Sequence, residues 1–114
     1  MKDHGTVVLH GLFSLAEGVT EAEFTPTLEA FYNHLREKGF VLEYSLARRQ
    51  PLEGFGMPLP AFDYHAQAVF PDLEADAACY EYVKRDEEPV HSLHRAMNSK
   101  VKRGGQHFFL TKNI

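Results

Sequence analysis

Residues 6–13, TVVLHGLF, constrain the fold most. The run is β-branched and apolar, which is the composition of a strand. Alternate side chains of a strand point to opposite faces. Val7, Leu9, Gly11 and Phe13 therefore share one face, and Thr6, Val8, His10 and Leu12 the other. Both sets are largely apolar, so the strand belongs in the middle of a sheet that is covered on both sides. One layer of helices covers only one of those sides.

The rest of the chain supplies the partners. After a turn at 17–19, Thr20 stands three residues before Glu23, the spacing of a capping box, and a helix is expected to about residue 38. Phe24, Leu28, Phe31 and Leu35 make its apolar stripe. Pro26 leaves two starts open: Thr25 as the cap with Pro26 at the first helical position, or a bent first turn. Gly39 is the expected stop. Residues 40–49 alternate, with Phe40, Leu42, Tyr44 and Leu46 opposite Val41, Glu43, Ser45 and Ala47. Residues 50–60 hold three prolines and two glycines and read as a loop. Residues 62–70 alternate again, with Phe62, Tyr64, Ala66, Ala68 and Phe70 opposite Asp63, His65, Gln67 and Val69. Pro71-Asp72 opens a helix through about residue 85, with Asp72, Glu74 and Asp76 where a helix dipole favours acid. Glu88-Pro89 starts another, with proline expected at the first helical position and Val90, Leu93, His94, Met97 and Val101 inward. Gly104-Gly105 ends it, and 106–111 form a last strand.

The order β-α-β-β-α-(α)-β is the split βαβ, ferredoxin-like arrangement of the α+β class. It predicts one domain over 1–114, a four-stranded antiparallel sheet in the order 4-1-3-2, and helices on one face. The face under the helices should carry Val7, Leu9, Gly11, Phe13, Leu42, Tyr44, Leu46, Tyr64, Ala66, Ala68, Phe108 and Leu110. The second face should carry Val8, His10, Leu12, Val41, His65, Val69, His107 and Phe109. That face is too apolar for water. Its economical cover is a second copy, which closes two sheets into a dimeric α+β barrel with twofold symmetry.

Composition narrows the partners. At 44% hydrophobic and 25% charged, 114 residues form a globular chain rather than a disordered one. Twelve basic against sixteen acidic residues give −4, which argues against nucleic acid as a partner. A single cysteine excludes an internal disulfide framework and a cysteine zinc site. No apolar run approaches the roughly 20 residues of a membrane helix. The start, MKDHG, lacks a secretory h-region, so the expectation is a cytoplasmic protein away from membranes.

The segments GVTEAEFTPTLEAFYNHLREKGF, YSLARR, LPAF and HSLHRAMNSKV carry a resemblance over nearly the whole chain. It resembles the dimeric α/β-barrel superfamily, which includes stress-responsive barrel proteins and small cofactor-free monooxygenases. More narrowly, it is similar to a small bacterial family of uncharacterised proteins within it. The resemblance implies a homodimer and carries over no activity. Haem-degrading members of the superfamily use an axial His on a helix with Asn and Trp. His94 matches the first, but the chain has no Trp, and no cofactor is expected.

Seven histidines supply most of the candidate chemistry. His10, His65 and His107 fall by parity on the second face of adjacent strands. They suit a metal or proton-transfer site inside the barrel, or polar filling hydrogen-bonded to Gln67, Glu43 or Ser45. Glu88-x-x-His91-x-x-His94 is half of a di-iron helix motif without the other half, and Glu88 also suits a helix start. Tyr44 and Tyr64 should face the helices, with His34 or His94 as hydroxyl partner, around a pocket for a small organic molecule. Core packing with one internal hydrogen bond is the competing reading. Arg48-Arg49 suits a carboxylate or phosphate clamp, Gly54-Phe-Gly56 is a poor phosphate loop, and Cys79 reads as a buried filler. Three functions stay open: a small-molecule-binding protein or cofactor-independent enzyme, a non-catalytic structural or regulatory dimer, and a His-rich metal binder.

Overall fold

A computed structural model describes residues 5–52 and 59–114. Gly54-Phe-Gly56 lies outside the described residues. Seven elements follow in order: β1 (Val7–Phe13), α1 (Glu21–Glu37), β2 (Glu43–Arg48), β3 (Tyr64–Phe70), α2 (Leu73–Lys84), α3 (Val90–Asn98) and β4 (His107–Lys112). The sheet is antiparallel in the order β2-β3-β1-β4, the ferredoxin-like arrangement, with β1 central as its two apolar faces require.

Register fixes the faces. Leu9 pairs with Ala68 and Leu110, Gly11 with Ala66 and Phe108, and Tyr44 with Ala68. These residues all lie on the helix side. His10 pairs with Gln67 and Phe109, and Leu12 with His65 and His107, on the other.

The core lies between sheet and helices. Phe31 and Leu35 of α1 pack with Ala68, Phe70, Cys79 of α2 and Val90 of α3. Phe24 and Leu28 pack with Phe13 and Ala66. Burying an aliphatic or aromatic side chain of this kind stabilises by roughly 1.5–3 kcal/mol. The molecule is a slab 21 Å thick, the depth of two layers.

Thr20 is the true cap of α1. Its hydroxyl accepts from the Glu23 N–H at 3.2 Å, and the Glu23 carboxylate accepts from the Thr20 N–H at 3.0 Å. Pro26 therefore sits inside the helix, so neither of the expected starts around it is needed. The Thr25 hydroxyl bonds the Glu21 carbonyl at 2.8 Å in that stretch.

The other end of α1 corrects the strand expected over 40–49. Gly39 adopts φ +86°, and the Phe40 N–H donates to the Leu35 carbonyl while the Gly39 N–H donates to that of Arg36. This is a Schellman stop. It wraps residues 40–42 around the helix end, and β2 begins only at Glu43. Val41, expected on the second face, is consequently buried in the helix-side core, and Leu42, expected under the helices, is 51% exposed.

Two smaller corrections concern α3 and β4. Pro89 is the N-cap of α3 rather than its first helical residue. Phe108 and Leu110 do have helix-side parity, yet they are 64% and 44% exposed, because the helix layer leaves β4 largely uncovered.

Candidate functional site

A cavity of about 50 Å³ lies between sheet and helices. β1 supplies its floor through Leu9, Gly11 and Phe13, beside Ala66 of β3. α1 supplies Phe24, Leu28 and Tyr32, and α3 supplies Met97 and Asn98. Phe108 closes one side. Its ring lies over Gly11, where a Cβ would come within 3.0 Å of Phe108 Cε1. The absence of a side chain at Gly11 is thus what lets the ring settle against the sheet.

Polar groups are few. Tyr32 is nearly surrounded by protein, and burial pushes its hydroxyl up to about 12, so it stays an O–H donor. Its ring stacks on Tyr44 and meets Phe31 edge-on. Its hydroxyl has no hydrogen-bond partner among the described residues, although no buried side-chain polar atom is left wholly enclosed and unpaired there. Asn98 and Gln106 stand at the mouth, where the cavity meets a wider groove of about 640 Å³ that they line together with Val101.

The four residues expected around this pocket do not line it. Tyr44 donates to Asn33 Oδ1 at 2.9 Å, Tyr64 donates to Glu21 at 3.1 Å, and His34 bonds the Tyr82 hydroxyl at 2.7 Å. His94 packs against Phe31 at 5.2 Å between ring centres. Burial, helped by the charge of His91, lowers its pKa. The anticipated Tyr–His pair across the pocket is therefore replaced by separate contacts along α1 and its neighbours. Tyr32, missed in the sequence reading, had a signal: it stands four residues after Leu28, one helical step beside the stripe.

The second face holds a histidine pair. His10 Nδ1 lies 2.9 Å from His65 Nε2, and His10 Nε2 lies 2.8 Å from Thr111 Oγ1. The His10 ring stacks on Phe109 at 4.5 Å. Burial first, and the charge of His65 second, lower the His10 pKa. One ring must donate and the other accept, so the pair favours at most one added proton. His107 sits across Leu12 from His65 and is exposed, so only two of the three histidines come together.

The remaining candidates resolve as structural contacts. Glu88 accepts from the Ser92 N–H and hydroxyl, and His91 pairs with Asp86. Arg48 makes a two-pronged ion pair with Glu21 at 2.8 and 2.7 Å, and Arg49 donates to the Pro60 and Phe62 carbonyls over the Phe62 ring. Burial pushes the Cys79 thiol up to about 12, which keeps it an unreactive filler. Among the described residues no three His, Cys, Asp or Glu side chains converge on a metal position. No helix there is long and apolar enough to cross a membrane.

Residues 7–109 match the family of unknown function DUF6614, and the chain belongs to that family. No curated protein matches it in sequence. Solved structures share its fold. SnoaB, a cofactor-independent oxygenase from Streptomyces nogalater, is 13% identical over 94% of this chain and 91% of its own, with a TM-score of 0.66. The hydroxynitrile lyase of Passiflora edulis is 7% identical over 96% and 94%, with a TM-score of 0.69. A dimeric ferredoxin-like protein of unknown function from Jannaschia sp. CCS1 is 14% identical over 94% and 98%, with a TM-score of 0.66.

Proposed function

We propose that this member of the DUF6614 family is a homodimer joined through the second face of its sheet, with one small organic molecule bound between sheet and helices in each subunit. The dimer reading is supported by what one copy leaves exposed. Phe109, beside the His10–His65 pair, is 45% exposed on that face, where the half-buried Leu12 of β1 and Val69 of β3 also lie. A twofold axis sets this patch against itself, so one surface serves both sides. The Jannaschia protein of this fold is described as dimeric.

The observation that carries ligand binding is an apolar cavity lined by Tyr32, whose hydroxyl has no hydrogen-bond partner among the described residues, with two carboxamides at its mouth. Small-molecule sites have this make-up of apolar walls and a few orienting polar groups, but at roughly 300–1,000 Å³, so most of a ligand must lie in the adjoining groove of about 640 Å³ and only its tip in the cavity. Binding is favoured over turnover because acid–base catalysis needs a proton acceptor within hydrogen-bond reach. Among the described residues, no His, Asp, Glu, Lys or Cys lines the cavity. SnoaB is a cofactor-independent oxygenase on the same fold, which makes cofactor-free turnover the second reading.

A neutral aromatic probe, 3-phenylpropionamide, tests this by amide NMR titration. Saturable shifts at Leu28, Tyr32, Met97 and Phe108 are expected, with affinity several-fold weaker in Tyr32→Phe. Shifts confined to the His10–Phe109 face, or none at all, contradict the reading.

A further inference from the structure

We infer that the ligand is an organic anion lying along the wider groove, with an apolar tip in the cavity and a carboxylate-type head held by Arg95 and Arg103. This rests on the cavity being a binding site and adds the chemical class of what it binds. The cavity does not end at its apolar wall. Asn98, Val101 and Gln106 line both it and the wider groove, so a molecule seated against Tyr32 emerges there. Arg95 and Arg103 line that groove, and among the described residues no acidic side chain does.

That pairing runs against the charge of the chain, which carries sixteen acidic residues against twelve basic ones. Arg48 is engaged by Glu21, Arg49 by two carbonyls and Arg36 by Asn33, and Arg85, at the end of α2, does not line the groove. Among the described residues, the guanidiniums of Arg95 and Arg103 have no ion pair or hydrogen bond. A guanidinium is charged at any working pH and presents a planar fork that matches a carboxylate. The order of groups from inside outward is therefore apolar, then hydroxyl and carboxamide, then cationic. An aryl or alkyl carboxylate presents the same gradient. Helix-end electrostatics explain only part of it. Arg95 in the last turn of α3 opposes the dipole, but Arg103 lies beyond that helix, after Ser99.

The test compares 3-phenylpropionate with its neutral amide, 3-phenylpropionamide, on the full chain by NMR titration. The carboxylate should bind about tenfold more tightly than the amide, the scale of one good charge-assisted contact. The preference should shrink at high salt. Arg95→Gln with Arg103→Gln should abolish the preference, bringing the carboxylate down to the affinity of the amide, with thermal stability retained. Equal affinity of the two probes for the native chain overturns the inference and leaves the cavity reading intact. So does a preference that survives loss of both arginines. Failure of both probes to shift the cavity residues removes the cavity reading, and this inference with it.

Discussion

His10 shows how a single residue takes on a role from its surroundings. It is bonded through both ring nitrogens, to His65 and to Thr111, and stacked on Phe109. Burial lowers its folded pKa below the unfolded value of 6.5. Both states are neutral above 6.5, so the native state has its full stability there. As the pH falls through 6.5 toward the lower folded pKa, the unfolded chain takes up the proton first and stability is lost. His94, shifted the same way by burial, adds to the effect. Denaturant midpoints from pH 7.5 down to 5 should fall, and His10→Gln should flatten the lower part of that profile. A midpoint that rises on acidification contradicts the assignment. Parity alone put His10 and His65 on one face from the sequence. Their hydrogen bond was not legible, because a diagonal contact depends on a register that no alternation pattern fixes. Tyr32 was overlooked for a related reason: the stripe Phe24, Leu28, Phe31, Leu35 explained the helix without it.

At the scale of elements, α1 and β1 carry the most information. The capping box of α1 was readable because Thr20 and Glu23 stand at the required spacing, and both reciprocal bonds form. Thr20→Ala should cost about 1 kcal/mol in chemical denaturation. An unchanged midpoint would mean that Pro26 or the chain before it, rather than the cap, sets where the helix starts. The far end of the same helix was misread. Gly39 was the right stop, but alternation in 40–42 mimicked a strand, while the Schellman wrap turns Val41 inward and Leu42 outward. In β1, Gly11 joins the sheet to the cavity. Gly11→Ala should leave thermal stability unchanged or slightly raised, since glycine weakens a strand and the Phe108 ring can swing aside. Binding of 3-phenylpropionamide should weaken, because the new methyl occupies the cavity floor. Full affinity with an unshifted Phe108 resonance contradicts that floor.

At the scale of the whole molecule, the sheet order and the placement of the helices followed from the order of elements and from strand parity. How far the helices reach did not. Phe108 and Leu110 have the parity of a buried row but lie beyond the helix layer, and nothing in their own sequence marks that edge. Their exposure, with Phe109 on the other face, makes β4 the most apolar uncovered strand of the described sheet. In the proposed dimer, a twin subunit against the second face would bury Phe109 and the His10–His65 pair. That arrangement would leave the cavity free on the helix side, so the proposed assembly and ligand binding would use opposite faces of one sheet. The most direct measurement is the solution mass by light scattering at micromolar concentration. A dimer through this face gives about twice 13.0 kDa for the native chain and 13.0 kDa for Phe109→Asp with its fold retained. A native mass of 13.0 kDa, or a dimer indifferent to Phe109→Asp, would contradict it.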